Sequence, residues 1–158
     1  MKKRSCFGLW TAVWMLAVIG TFVFAFFVPF GAKEIISRNS SMERLFWPYL
    51  AYLWAVGIMY YWVIFEFSRV VKRISLDASF CRENARSMKN ISAITLATGI
   101  WFLMGLALSP LFGAFSMGLL AARCIFAAIC FTISLFAHAL SRLILRAAEI
   151  KAENDLTV

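Results

Sequence analysis

The chain has 158 residues, of which 63% are hydrophobic, 16% aromatic and only 15% charged. Soluble domains are about 45–50% apolar, and a core of this size could not bury so much apolar surface. The composition therefore excludes a soluble globular enzyme, a disordered tail and a free DNA-binding domain, and it predicts a membrane protein. The net charge is nevertheless +8, so the placement of the basic residues needs an explanation.

Long uncharged runs divide the chain into four predicted membrane spans. The runs 5–32 and 45–65 are each long enough for one helix across a bilayer core about 30 Å thick. The run 90–122 is too long for one span, and Pro110 breaks it, because proline ends a helix at or before the preceding residue. The second helix is expected to continue toward Ile74 and the fourth toward the C-terminus. The predicted spans lie near 7–30, 45–67, 90–109 and 115–140.

The basic residues orient this predicted bundle. Twelve of the sixteen lie at the N-terminus, in the loop between the second and third spans, and after the fourth span, whereas three lie in the first loop. Because Lys and Arg accumulate in cytoplasmic loops, both termini are expected in the cytoplasm. The sequence predicts an all-α, multi-pass protein of the cytoplasmic membrane, a single domain over 1–158. Its four transmembrane helices form an antiparallel bundle, with cytoplasmic segments 1–6, 68–89 and 141–158.

The second and third of these cytoplasmic segments carry most of the remaining information. In 68–89, Ser79 is expected to N-cap a helix, and Glu83 lies in its first turn, where a carboxylate favours the positive end of the helix dipole. The second and third spans should therefore extend into the cytosol as a helical hairpin. In 141–158 the helix is expected to continue and to end in an acidic tail, on the same side as the basic hairpin.

Two stretches of these segments resemble a known family. Residues 79–91, with Phe80, Glu83 and Asn84, resemble a Phe-x-x-Glu-Asn-x-x-x-Leu-Lys/Arg-x-Ile element, and residues 148–158 resemble a tail ending Glu-Asn-Asp-Leu-Thr-Ile/Val. With four spans and this length, they are similar to the bacterial membrane family called domain of unknown function twenty-nine seventy-five. The resemblance implies a small inner-membrane protein of undefined biochemistry. Its relatives are often encoded beside a small helix-turn-helix regulator, which suggests a membrane partner for a transcription factor.

Two functions follow as hypotheses. In the first, the hairpin and tail bind a small helix-turn-helix regulator at the cytoplasmic face, in a signalling or regulatory role without direct contact to nucleic acid. In the second, the protein transports, or gives immunity to, a small apolar or cationic compound. An alternative for the acidic tail is that it folds back on the basic hairpin. The predicted partner-binding residues are Phe80, Glu83, Asn84, Arg86, Glu153, Asn154, Asp155, Leu156, Thr157 and Val158.

Arg123 and Glu66 are the ionisable residues in the predicted spans. A charge inside the bilayer costs a few kcal/mol, so each is a candidate functional group. The favoured interpretation of Arg123 is that its guanidinium snorkels to the outer surface. Glu66 is expected near the cytoplasmic interface, paired with Arg69 at i+3. Because Arg123 and Glu66 should lie in opposite leaflets, they are not expected to pair.

No catalytic, cofactor-binding or metal-binding set is found in the sequence, so the chain is not expected to be an enzyme or to need a cofactor. His138 is the only histidine and is interpreted as a hydrogen-bonded interfacial residue. The cysteines form no CxxC pair and are interpreted as small apolar residues. They are Cys6, Cys81, Cys124 and Cys130.

Small residues four apart allow helices to approach closely. Three such pairs are present, and all are expected to pack within the bundle. They are Ala93-x-x-x-Ala97, Thr95-x-x-x-Gly99 and Gly118-x-x-x-Ala122.

Overall fold

The computed structural model describes residues 2–37, 46–76, 80–109 and 117–156, and the regular elements within these ranges are all helices. Four stretches are long and apolar enough to cross a membrane, which confirms the predicted all-α architecture with four spans. The first crossing combines three elements, and the other three crossings are single helices. The elements are α1 (Lys2–Phe22), a π-helical turn (Val23–Phe27), α2 (Val28–Ser37), α3 (Phe46–Ser75), α4 (Arg82–Leu108) and α5 (Met117–Leu156).

The π-helical turn has a local cause in Pro29. Proline has no backbone N–H, and its ring crowds the carbonyl four residues earlier, which disturbs a regular α-helix. Here the N–H of Val28 donates to Val23 O, five residues back, and this wider turn lies directly before Pro29. The chain therefore remains helical through Ser37 instead of stopping at the proline.

The helices pack in chain order, each antiparallel to the next. The first crossing contacts α3, where Tyr60 Oη donates to Leu16 O at 2.8 Å. The α3 helix packs on α4, and α4 and α5 form the most extensive pair. Along that last pair, Ser141 contacts Ala85 near one end and Arg123 contacts Gly105 near the other. The predicted antiparallel four-helix bundle is therefore confirmed.

Small and hydroxyl-bearing residues fill the contact between α4 and α5. Ser134 Oγ donates to Ser92 O at 2.8 Å, and a methyl group at Gly99 would lie only 3.1 Å from the Phe131 ring. Such contacts hold helices together in a membrane, because lipid tails are as apolar as the side chains and burial of apolar surface alone does not drive association. Thr95 and Gly99 are buried here, as predicted.

The other two small-residue pairs do not pack within the bundle. Ala93, Ala97, Gly118 and Ala122 are exposed, so the prediction of internal packing is wrong for them. Spacing alone identifies a face of small residues, but it does not say which face of the helix meets a neighbour.

The predicted hairpin extension is present where α3 ends and α4 begins. We call the region from Arg69 to Lys89 the hairpin end. The N-cap of α4 is Cys81, whose carbonyl accepts the N–H groups of Asn84 and Ala85. The prediction that Ser79 is the N-cap is wrong, because the helix begins later in the chain. Ser79 itself lies outside the described residues.

The last helix is longer than a membrane crossing requires. The 40 residues of α5 measure about 60 Å at 1.5 Å per residue, whereas the bilayer core is about 30 Å thick. We call residues 142–156 the extension. As predicted, the helix continues into the tail and is uninterrupted through Leu156. The alternative in which the tail folds back on the hairpin stays a prediction.

Candidate functional site

Arg123 is buried within the bundle, with 8% of the residue exposed. Its Nη1 donates to Gly105 O, and its guanidinium carbon lies 5.7 Å from the centre of the Tyr52 ring. Gly105 is among the last four residues of α4, whose carbonyls lack the usual intrahelical donor, and the N–H of Ser109 goes to Leu106 O instead.

Arg123 therefore caps the C-terminus of α4. Its positive charge lies at the negative end of the helix dipole, which is a favourable position. The predicted snorkelling of Arg123 to the outer surface is wrong, because a nearby helix end supplies an acceptor inside the bundle.

Two aromatic residues beside Arg123 join α3 to α4. Tyr52 and Trp101 stack with their ring centres 5.4 Å apart. Tyr52 Oη donates to Trp101 O at 3.0 Å, and Trp101 Nε1 donates to Tyr52 O at 3.2 Å. Sequence reasoning did not predict this reciprocal pair. The aromatic character of both residues is visible in the sequence, but it does not indicate that they are in contact.

Glu66 is buried between α3 and α4, with 4% of the residue exposed. Its Oε1 accepts a hydrogen bond from Asn90 Nδ2 at 3.1 Å and lies 3.5 Å from Arg69 Nη1, so the predicted pairing with Arg69 is confirmed. Its Oε2 is buried and has no hydrogen-bond partner among the described residues. As predicted, Glu66 and Arg123 do not pair with each other.

The hairpin end is closed by Arg73. Its Nη1 lies 3.0 Å from Ser87 Oγ, 3.3 Å from Glu83 O and 3.4 Å from Asn84 Oδ1, donating to all three. Asn84 is fully buried, with 0% exposed. Sequence reasoning did not select Arg73, since charge counting could not separate it from its basic neighbours.

The predicted partner-binding residues are only partly accessible. Phe80, Glu83 and Arg86 are exposed at the hairpin end, whereas the buried Asn84 has no surface with which to contact a partner. The family-like element at 79–91 therefore combines the buried Asn84, which accepts a hydrogen bond from Arg73, with residues on the hairpin surface.

The predicted tail residues lie apart from the hairpin. Glu153 and Asn154 are exposed on the extension, about 18 Å beyond Ser141 along the helix axis, and Ser141 is level with Ala85 of α4. The structure thus places Glu153 and Asn154 apart from the described hairpin residues along the bundle axis. The side chains of Asp155 and Leu156, and all of Thr157 and Val158, lie outside the described residues.

The remaining polar candidates form no chemical site in the described part of the chain. No group of three metal-ligating side chains is found there. His138 is exposed, and no described residue hydrogen-bonds to it, so the predicted hydrogen bond is not found. Cys81, Cys124 and Cys130 are free thiols.

The four crossings, the bundle contacts and the buried polar groups define an integral, multi-pass membrane protein. Residues 30–158 match the family model described as "Protein of unknown function (DUF2975)", and the chain belongs to this family. It is also 24% identical to the "Uncharacterized membrane protein YoaS" of Bacillus subtilis (strain 168), over 160 residues that cover the whole of both chains. No solved structure matches the chain. The family resemblance predicted from the hairpin and tail is confirmed.

Proposed function

We propose that this protein is a regulatory interaction protein of the cytoplasmic membrane that binds a small helix-turn-helix transcription regulator. Both termini and the hairpin end lie in the cytoplasm in this proposal, which the distribution of basic residues supports. The observation that carries it is the extension, a helix that continues well past the hairpin end and finishes in an acidic tail.

The charge of the tail fits a DNA-binding partner. The surface with which a helix-turn-helix protein contacts phosphates is rich in Lys and Arg. Glu153 and Asp155 offer carboxylates of the opposite sign, and complementary charge favours encounter and orientation. The exposed Phe80 ring, 60% accessible, supplies an apolar contact at the hairpin end. A regulator held on this surface is kept away from DNA, which links a membrane signal to transcription.

The test is co-purification of the full-length membrane protein with a small helix-turn-helix regulator, which is sought among the genes next to its own. Deletion of residues 153–158 removes the acidic end and should release the regulator. Glu153→Lys should weaken the complex about tenfold or more, since it places like charges in contact. Glu149→Lys, the same change one turn nearer the bundle and outside the predicted partner-binding residues 153–158, is the matched control and should retain binding. Unchanged co-purification after the deletion contradicts the proposal.

A second candidate function is transport of, or immunity to, a small cationic compound. One observation favours it, namely the buried Glu66 Oε2 without a hydrogen-bond partner among the described residues. A buried oxygen in this state costs free energy that a cationic ligand would recover. Uptake or killing should then depend on Glu66 after the tail is deleted, and Glu66→Gln should abolish it. Glu83→Gln, at an exposed position, is the control. Equal activity of the two variants excludes this candidate.

A further inference from the structure

The last helix carries an exposed apolar stripe beside the face that packs on α4. The buried face includes Arg123, Ser134 and Ser141, and the stripe lies one residue away from it, about 100° around the helix. Its members are spaced alternately three and four residues apart, and the large ones are between 45% and 73% exposed. We call this stripe the seam, and it comprises Ile133, Phe136, Leu140, Leu143, the half-buried Ala147 and Ile150.

Lipid accounts for only part of the seam. A crossing uses about 20 residues, and α5 has 40. On a neighbouring face, the exposed apolar Leu135 is followed past residue 140 by Arg142, Arg146 and Glu149, as expected where the helix leaves the membrane. The seam stays apolar over the same length. Apolar side chains in a continuous row outside the bilayer indicate a protein contact.

We propose that a second copy of this chain covers the seam, with the two α5 helices parallel and side by side. The seam runs without a break from the crossing into the extension, and a second copy matches it in both parts, since by symmetry its own α5 crosses the membrane and projects from it to the same depth. The alternating spacing of three and four is that of a coiled-coil contact between helices.

The size of the seam fits such a pair. Its six residues offer on the order of 500 Å² per chain, more than half of the ~800 Å² that each partner buries in a standard interface, and the helices continue in both directions. Asn154 occupies the next position of the repeat, where a polar residue fixes the register of paired helices.

The parallel register also brings two basic residues together. Arg146 flanks the seam and faces Lys151 of the second copy, five residues further along, as flanking positions do in parallel coiled coils. The pair therefore contains a like-charge contact on each side. Reversing one of these charges should strengthen the dimer, which would not follow if lipid or an unrelated protein covered the seam.

The first test is cysteine cross-linking of the full-length protein in native membranes, in a variant whose four cysteines are replaced by alanine. Leu143→Cys and Ile150→Cys should give a disulfide-linked species of twice the chain mass on mild oxidation. Leu145→Cys and Ala152→Cys, on the opposite face of the extension, are the matched controls and should not. Equal cross-linking at all four positions, at none of them, or only to a protein of another mass overturns the proposal.

The second test is charge reversal at the flanking position. Lys151→Glu should raise the dimer fraction about threefold or more by pairing with Arg146 of the second copy, measured by cross-linking through Ile150→Cys. Arg142→Glu, a charge reversal of the same sign away from the seam, is the control and should leave the dimer fraction unchanged. A Lys151→Glu variant without an increase overturns the parallel register.

Discussion

Replacing Arg123 with leucine should destabilise the bundle, although it removes a charge from the membrane interior. The substitution deletes the hydrogen bond to Gly105 O, and hydrogen bonds from charged groups contribute about 1.5–3 kcal/mol. It also removes a cation from the end of α4, a dipole interaction of about 0.3–1 kcal/mol, and the contact with the Tyr52 ring. Leucine avoids the cost of burying a guanidinium, and this gain offsets part of these losses. We therefore expect the free energy of unfolding to fall by about 2 kcal/mol in total.

The measurement is reversible unfolding of the purified protein in mixed micelles, followed by helical circular dichroism as the denaturing detergent increases. Arg123→Lys keeps the charge but reaches less far, and should lose about half as much stability. Arg142→Leu, an exposed arginine on the same helix, should change the stability by less than about 0.5 kcal/mol. An Arg123→Leu variant as stable as the unmodified protein refutes the capping role.

Two further predictions concern contacts between helices and use the same unfolding measurement. Arg73→Ala should lower the free energy of unfolding by about 2 kcal/mol, because it removes the donor that serves three acceptors at the hairpin end. Arg86→Ala, on the hairpin surface, is the control and should change this free energy little. Equal effects of the two substitutions would contradict the contacts assigned to Arg73. Gly8→Ala adds a methyl group with nothing within 4 Å of it, so it should raise the free energy of unfolding by up to about 1 kcal/mol through helix propensity. Gly99→Ala should be less favourable than Gly8→Ala by about 1–2 kcal/mol, because its methyl group crowds Phe131. Equal free energies of unfolding for the two variants would show that the contact with Phe131 is loose.

The architecture could be predicted from the sequence because a bilayer leaves few alternatives. Backbone groups in lipid must be satisfied within the segment, so a long uncharged run becomes a helix. Pro110 separated the last two helices correctly, since α4 ends at Leu108 and α5 starts at Met117. Pro29 did not end its helix, because a π-helical turn accommodates it. This local adjustment depends on the packing around the turn, and the composition of the sequence does not indicate it.

The contacts of the candidate residues could not be predicted, because they depend on how neighbouring helices are aligned. The end of α4 was placed correctly, but nothing in the sequence indicates that Arg123 lies level with Gly105. For the same reason, Asn84 was interpreted as a surface residue within a family element, whereas alignment of α3 with α4 buries it against Arg73. A recurring polar residue can serve the fold as well as a partner.

The buried polar groups also limit where a partner can bind. Apolar packing specifies helix alignment weakly in lipid, and here directional bonds at the two ends of the bundle supply the alignment. Arg73 holds the hairpin end, Glu66 joins the adjoining turns of α3 and α4, and Arg123 holds the other end. Apart from Glu66 Oε2, which has no hydrogen-bond partner among the described residues, these groups are committed to the fold. Among the described residues, the outer face of the hairpin and the extension of α5 offer exposed groups outside the predicted spans. The proposed regulator site uses the hairpin and the acidic tail, whereas the proposed dimer uses the seam. Because Glu153→Lys and Lys151→Glu act on different faces of one helix, each proposal can fail without the other.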